Sequence, residues 1–189
     1  MRACLTIVLL ACASAAALLL KGSPASALSS TSLPSMSSAS APPGRPFLAS
    51  KPYLSLDVAK AVADACRMEA QRNNWTVVIS IVDDGGNLMY LERMDSTQLG
   101  SIAVAQDKAA SALLFKRPTK AFSDMVLDKG SVNMMALRGA VAVEGGVPLA
   151  VNGVVVGAVG ISGVTSVQDG QVAGAGLSYF NSFYNSGDV

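Results

Sequence analysis

The chain has 189 residues, of which 51% are hydrophobic and 14% are charged, and it contains no histidine. The lack of histidine excludes Ser-His-Asp and Cys-His catalytic sets, His-ligated zinc, haem held by a proximal His, and an imidazole pH switch. The 14 Lys and Arg residues against 13 Asp and Glu give a formal charge of +1, which provides no electrostatic signal for nucleic acid or for an anionic membrane. The length suits one domain with a sizeable core.

Residues 1–27 have the pattern of a secretory signal peptide. Arg2 supplies the positive charge, residues 3–20 form an apolar run, and a small-x-small sequence precedes Leu28, where we expect cleavage. This pattern predicts a secreted or periplasmic protein. Two alternatives stay open: an uncleaved anchor, because the apolar run is nearly long enough to span a bilayer, and lipidation at Cys12.

The segment after the signal is predicted to be a linker. Residues 28–52 contain eight Ser and five Pro, a composition that buries too little surface to offset its ordering entropy, so we expect disorder. We assign residues 53–184 to a globular domain and residues 185–189 to a tail. Cleavage leaves Cys66 as the only cysteine, so no intramolecular disulfide is expected. Its apolar helical surroundings predict a buried structural thiol, with intermolecular pairing or ligand contact as the alternative.

The first half of the domain predicts a helix followed by a β-hairpin. Ser55 is suited to cap a helix that ends near Asn73, with apolar residues at helical spacing between them. Residues 75–82 are rich in β-branched side chains, which is typical of a buried strand. A turn over residues 83–87 and a second strand over residues 88–94 complete the hairpin.

Two further helices are predicted after the hairpin. Residues 102–115 are rich in alanine, with one apolar side, and Pro118 ends this helix. Thr119 is suited to cap a short helix over residues 120–128, which Gly130 terminates.

A charge-free segment near the end of the domain predicts a second hairpin. Residues 145–168 carry no charge, which raises the question of a membrane span. The Asn-Gly pair at 152–153 is instead a strong signal for a tight hairpin between residues 147–151 and 154–161, so no span is predicted in the mature protein. A shorter strand over residues 140–143 is expected to join the sheet.

The domain is predicted to end with a helix over residues 169–184. In it, Tyr179 with Phe183 and Phe180 with Tyr184 are spaced to stack at i,i+4. The order of helix, strand pair, helices, strands and helix favours an α+β domain, with an antiparallel sheet covered by helices.

Several segments together resemble a known family. VDDGGNL, LERMD, DKA, RPT, GGVPL and SGVTSVQD occur in this order and at close spacing within residues 55–177. The combination resembles the GlcG/HbpS family of haem-binding or haem-degrading domains, which is related to the C-terminal domain of PduO-type proteins. The resemblance implies a profilin-like or PAS-like fold with a five-stranded antiparallel sheet. It also implies homo-oligomers from dimers to octamers and, in some members, extracytoplasmic haem binding.

The resemblance yields a functional prediction. The protein is expected to be an exported oligomer that binds haem, for scavenging, as a redox accessory, or in oxidant-driven haem degradation. Family members often carry histidine at or near the turn where Asn87 stands, so iron here takes another ligand or none, and an exposed, exchangeable mode is expected. The alternative is a non-catalytic oligomeric sensor or scaffold that binds another small ligand or a partner protein.

A haem site needs one or two cations for the propionates and an apolar slot, and it needs an axial donor where the protein ligates the iron. The candidate ligand-binding residues within or beside the family motifs are Arg93, Met94, Lys108, Arg117 and Thr119, with Lys116 as a further cation. The metal ligand stays open, and the side chains that suit an axial position are Met89, Met94, Met134, Met135, Tyr90 and Cys66.

Other interpretations compete at these positions. Arg93 and Lys108 each follow a carboxylate in sequence, so structural ion pairs would explain them, and Thr119 is suited to a helix cap. The same two cations would also suit the carboxylate of a small organic acid, although no dedicated catalytic constellation is recognisable. Asp83 and Asp84 would suit a hard cation, but an Asx turn also explains them.

Overall fold

The structure is a computed structural model that describes residues 49–184. The predicted signal peptide, most of the predicted linker and the predicted tail lie outside the described residues. In chain order the elements are α1 (Leu56–Arg72), β1 (Val78–Asp83), β2 (Leu88–Arg93), α2 (Ser101–Phe115), α3 (Lys120–Leu127), a 3-10 helix (Val132–Ala136), β3 (Gly146–Val151), β4 (Val154–Ser162) and α4 (Ser166–Tyr184). Within this range no helix is long and apolar enough to cross a bilayer.

The strands form one antiparallel sheet in the order β2-β1-β4-β3, so the α+β prediction is confirmed. The prediction of a fifth strand over residues 140–143 is wrong, because the sheet formed by residues 49–184 has four strands and none of them includes these residues. The Val141 N–H instead donates to the Ser111 hydroxyl of α2 at 2.9 Å, which ties this backbone to a helix. The profilin-like or PAS-like classification stays a prediction.

The β3–β4 hairpin is confirmed at the predicted Asn-Gly pair. Asn152 and Gly153 have φ angles of 50° and 80°, the left-handed pair that a type I′ turn requires. They join Val151 to Val154, which pair directly across the two strands. The turn chemistry therefore sets the pairing of β3 with β4 next to the turn.

Different helices cover the two faces of the sheet. α1 and α4 pack on one face and α2 on the other. The larger core cluster lies on the first face, where Ile79 and Ile81 of β1 meet Cys66 of α1 and Phe180 of α4. Cys66 is fully buried, as predicted, and burial raises the pKa of its thiol to about 12. Such a thiol is structural, because it stays protonated at neutral pH.

Small side chains allow α2 to lie close to the sheet. Ala105, Ala109 and Ala112 form its buried face, and Gly160 of β4 lies beneath them. A Cβ atom at Gly160 would lie 2.5 Å from the Ala109 nitrogen, so only glycine permits this approach. The alanine-rich composition of α2 is thus a packing requirement.

The starts of two helices differ from the prediction, α4 in its first residue and α3 in its cap. α4 begins at Ser166 because Thr165 and Gln168 form a capping box. Gln168 Oε1 accepts from the Thr165 N–H at 3.1 Å, and Thr165 Oγ1 accepts from the Gln168 N–H at 3.4 Å. α3 begins at Lys120 as predicted, but Thr119 makes no side-chain cap, so that part of the prediction is wrong.

Candidate functional site

Lys108 is buried inside the domain. Its side chain is 1% exposed, and its Nζ donates to Asp169 Oδ2 at 2.7 Å and to the Ile161 carbonyl oxygen at 3.0 Å. The neighbouring carboxylate in sequence, Asp107, is exposed. The ion-pair interpretation of Lys108 is therefore correct, but the partner comes from α4 and not from α2.

The Asp169 carboxylate is held from a second side as well. Its Oδ1 accepts from the Val164 N–H at 3.2 Å, in the loop that leads into α4. Burial raises the pKa of Asp169 above its usual value, although the hydrogen bond and the charge of Lys108 oppose that shift. The pair joins α2, β4 and α4 at the end of the sheet.

Thr119 is also buried, against the residue that begins β3. Its hydroxyl oxygen accepts from the Gly146 N–H at 2.9 Å, and its own N–H donates to the Gly146 carbonyl oxygen at 3.0 Å. Next to it, Gly145 has a φ of +128°, and a Cβ atom there would lie 2.8 Å from Lys108 Nζ. Lys108 and Thr119 thus both contact the segment that begins β3, and both use their polar atoms internally.

Arg93 and Met94 line a surface groove of about 400 Å³, which we call the Arg93 groove. Its lining residues are Arg67, Gln71, Thr76, Glu92, Arg93, Met94 and Asp95. Arg93 donates to the Thr97 carbonyl oxygen at 3.3 Å, whereas Glu92 lies 3.6 Å from Arg67. Glu92 therefore forms its ion pair with Arg67 and not with Arg93. Two guanidinium groups and two carboxylates leave the groove balanced in charge.

Arg117 lies apart from that groove. Its Nε donates to the Phe115 carbonyl oxygen at 3.3 Å, and its guanidinium carbon lies 5.7 Å from the centroid of the Phe122 ring, a cation–π distance. The Phe122 ring in turn meets Phe115 edge to face. The five predicted residues are thus not brought into one cleft, and a ligand-binding role for each of them stays a prediction.

A second groove, of about 390 Å³, has the composition that an amphipathic anion needs. We call it the Lys116 groove. Its lining residues are Lys51, Asp84, Gly85, Leu113, Leu114, Lys116, Val154 and Val155. The four aliphatic side chains supply an apolar floor, and the two lysines supply positive charge. Lys51 forms an ion pair with Asp84.

Two local structures shape the Lys116 groove. Lys116 ends α2 in the left-handed conformation, with a φ of 50°. In the β1–β2 turn, Asp83 Oδ1 accepts from the Gly85 N–H at 2.9 Å and from the Asn87 N–H at 2.8 Å, as the Asx-turn interpretation predicts. These hydrogen bonds, chiefly the one from the Asn87 N–H, hold the pKa of the Asp83 carboxyl below its usual value. The folded turn presents Asp84 to the groove.

The candidate iron ligands are dispersed over the domain. Met89, Tyr90 and Met94 pack against the larger core cluster, Cys66 is fully buried, and Met135 is exposed on the 3-10 helix. Among residues 49–184, no three His, Cys, Asp or Glu side chains come together to hold a metal ion. The lining of the Lys116 groove includes none of the candidate axial donors.

Sequence reasoning missed most of the Lys116 groove. Lys51 falls within the predicted linker, and Val154 and Val155 fall within a predicted strand of the second hairpin. One signal was available: Leu114 follows Leu113 and lies off the apolar side of the α2 pattern. In the structure Leu114 is 64% exposed, and Val154 after the Asn-Gly turn is 46% exposed.

Comparison with known proteins decides the family. A family model described as "Haem degrading protein HbpS-like" matches residues 54–178. The chain belongs to the HbpS-like family. The resemblance inferred from the motifs is thereby confirmed.

Relatives of this HbpS-like chain cover most of the same domain. Protein GlcG of Escherichia coli is 42% identical over 112 residues, which are 59% of this chain and 83% of GlcG. The crystal structure of Klebsiella pneumoniae protein ORFY is similar with a TM-score of 0.66 and 31% identity, covering 72% of this chain and 97% of ORFY. A crystal structure of a PduOC:haem complex is similar with a TM-score of 0.61 and 29% identity, covering 67% and 94% of the two chains.

Proposed function

We propose that this HbpS-like protein binds haem in the Lys116 groove. The observation that carries the proposal is the convergence on that groove of three segments that lie within or beside the family motifs. VDDGGNL contributes Asp84 and Gly85, the residue directly before RPT is Lys116, and the strand between GGVPL and SGVTSVQD contributes Val154 and Val155. Membership of a family described by haem degradation, and the haem complex of the related PduOC, support the choice of ligand.

The groove suits the two chemical halves of haem. The aliphatic floor of Leu113, Leu114, Val154 and Val155 matches the apolar macrocycle, and the ammonium group of Lys116 matches a propionate. A volume of about 390 Å³ lies near the lower end of the range of about 300–1,000 Å³ for ligand sites. A bound macrocycle would therefore leave one edge in solvent, which agrees with the expected exchangeable mode.

The residues of the groove would orient haem without ligating its iron. When bound, haem supplies redox chemistry at iron, and the chain's contribution is to hold the propionates and cover one face of the macrocycle. Lys51 can contribute only in competition with its ion pair to Asp84. This arrangement fits scavenging or oxidant-driven degradation better than a mechanism that needs a general base.

The proposal also includes export and assembly. The signal-like pattern of residues 1–27 supports secretion into the periplasm or the medium, and the family resemblance supports a homo-oligomer between dimer and octamer. N-terminal sequencing of the exported protein is expected to begin at Leu28, and light scattering should give a multiple of the protomer mass. A sequence that starts at Met1 would contradict signal cleavage before Leu28, and a monomeric mass would contradict the homo-oligomer.

A hemin titration tests the haem site. We expect a Soret shift and saturable quenching of Trp75, the only tryptophan. Lys116→Glu should weaken binding about tenfold or more, because loss of a partly exposed ion pair costs up to about 1 kcal/mol and reversal adds repulsion. Lys60→Glu on the exposed side of α1 makes the same charge change away from the groove, so it should bind as the unaltered protein does.

The outcomes separate the alternatives. No Soret shift and no quenching would remove haem binding and favour the sensor or scaffold function. Weakening by Arg93→Ala and Met94→Leu, with Lys116→Glu unaffected, would move the site to the Arg93 groove. A charge effect shared equally by Lys116→Glu and Lys60→Glu would show non-specific attraction of hemin.

A further inference from the structure

The near-zero total charge conceals a division of charge within the domain. Residues 116–138, which we call the basic lobe, carry five Lys and Arg against two Asp. The rest of residues 49–184 carry six Lys and Arg against ten Asp and Glu. The basic lobe is therefore net positive, and the remainder of the described domain is net negative.

The basic lobe also exposes large apolar side chains. Leu127, Val132 and Met135 are 77%, 67% and 68% exposed, and Leu137 is 40% exposed. The 3-10 helix contains no buried residue, and α3 buries only Phe122. Leu127, Val132, Met135 and Leu137 thus face solvent, and Phe122 is the apolar side chain that the basic lobe buries.

The basic lobe is tied to the domain at both ends. At its start, the Thr119 N–H donates to the Gly146 carbonyl oxygen at 3.0 Å. Just beyond its end, the Val141 N–H donates to the Ser111 hydroxyl at 2.9 Å. Between them, the Ser131 N–H donates to the Met125 carbonyl oxygen at 3.0 Å, so the 3-10 helix lies beside α3. The charges and the apolar side chains are therefore displayed by one structural unit.

The composition of the basic lobe favours a lipid surface over a protein partner. Protein interfaces are enriched in aromatic residues and depleted of Lys, whereas three of the five cations here are Lys and the single aromatic residue, Phe122, is buried. Helices that lie in a membrane interface instead combine Lys and Arg on one face with Trp, Phe or Leu on the other, and in the basic lobe Leu127 and Leu137 are exposed close in sequence to Lys129 and Arg138. Anionic headgroups complement the net charge.

We propose that the basic lobe docks the protein on anionic lipid bilayers. Leu127, Val132 and Met135 enter the boundary between headgroups and acyl chains, and Lys129 and Arg138 bind lipid phosphates. The inference does not rest on haem binding. Total charge alone does not reveal such a surface, because the net charges of the basic lobe and of the rest of the described domain nearly cancel.

Vesicle co-sedimentation of the exported protein tests this proposal. We expect binding to phosphatidylcholine vesicles that contain phosphatidylglycerol, weak binding to phosphatidylcholine alone, and release at high salt, where charges are screened. Lys129→Glu with Arg138→Glu should reduce the partition constant about 25-fold or more. Each basic residue near an anionic surface contributes about 1 kcal/mol, which is roughly fivefold in the partition constant, so two residues together contribute about 25-fold. Leu127→Ser with Met135→Ser should weaken binding to the same vesicles without abolishing its salt dependence.

A matched pair of variants controls for total charge. Lys60→Glu with Arg72→Glu makes the same change on the exposed side of α1 and should leave vesicle binding intact. Equal loss in both charge-reversal pairs would overturn the proposal, as would equal binding to neutral and anionic vesicles. Absence of vesicle binding, combined with self-association that Leu127→Ser and Met135→Ser abolish, would assign the surface to a second copy of the chain and also overturn it.

Discussion

Replacement of Lys108 by methionine is expected to be among the most destabilising single changes in this domain. Methionine keeps much of the side-chain volume but removes the ammonium group that binds Asp169 at 2.7 Å and the Ile161 carbonyl oxygen at 3.0 Å. Removing one partner of a buried ion pair costs about 3–5 kcal/mol, because the other charge stays buried without compensation. Single domains are stable by only about 5–15 kcal/mol.

Urea unfolding measures this effect. A loss of about 4 kcal/mol, with a slope of about 2 kcal/mol per molar urea, lowers the midpoint by about 2 M. The double variant Lys108→Met with Asp169→Asn removes both charges but keeps an acceptor for the Val164 N–H. It should recover a large part of the loss, since the two changes concern one interaction.

The pH dependence of the stability loss in Lys108→Met is a further test, because its direction follows from the pKa of Asp169. Burial already raises the pKa of Asp169, and loss of Lys108 raises it further. Because the folded pKa then exceeds the unfolded value of about 3.9, the protonated carboxyl is favoured in the folded state. The loss of stability in Lys108→Met should therefore be smallest below the unfolded pKa of about 3.9, and it should grow as the pH rises through the folded pKa of Asp169. A cost below about 1 kcal/mol, or strict additivity with Asp169→Asn, would refute the reasoning.

Three further predictions concern single side chains. Asp83→Asn keeps the Asx-turn acceptor but removes a carboxylate whose pKa is lowered, chiefly by the Asn87 N–H. The stability that the Asp83 carboxylate contributes is present above about pH 3.9 and is lost on further acidification, so the urea midpoint of this variant should fall less steeply in acid. An unchanged acid profile would contradict this prediction. The Cys66 thiol, with its pKa raised to about 12 by burial, should resist alkylation at neutral pH and react fully in urea; rapid labelling of the native protein would show that α1 and α4 separate readily. Ser80 is fully buried, and among the described residues its hydroxyl has no hydrogen-bond partner, so Ser80→Ala should stabilise the domain by about 1 kcal/mol, measured as a higher Tm; a lower Tm would indicate that the hydroxyl is satisfied.

Local patterns predicted most of the secondary structure. The β-branched run of β1, the Asn-Gly turn and the helical spacing of apolar residues in α2 are signals that each lie within a short stretch of sequence. The prediction of a fifth strand failed because residues 140–143, Ala-Val-Ala-Val, form a short apolar run, which is also typical of a strand. A hydrogen bond from Val141 to Ser111, thirty residues away, directs this backbone to α2, and no local pattern contains that information.

The candidate site was predicted less well because long-range contacts determine it. Lys108 was recognised as important, but its partner Asp169 lies 61 residues later in the chain. The Lys116 groove joins residues from the end of the predicted linker, from the β1–β2 turn, from the start of β4 and from the end of α2. Apart from the linker end, these segments lie within or beside the family motifs, whereas only the three-dimensional structure shows that they meet.

The ion pair between Lys108 and Asp169 also has a consequence for how the domain opens. α2 and α4 lie on opposite faces of the sheet, yet neither can detach without leaving a charge in the interior. Local fraying of the C-terminal helix should therefore stop before Asp169. Amide protons in α2 and in the first turns of α4 are expected to exchange with solvent through the same global opening, as one cooperative unit.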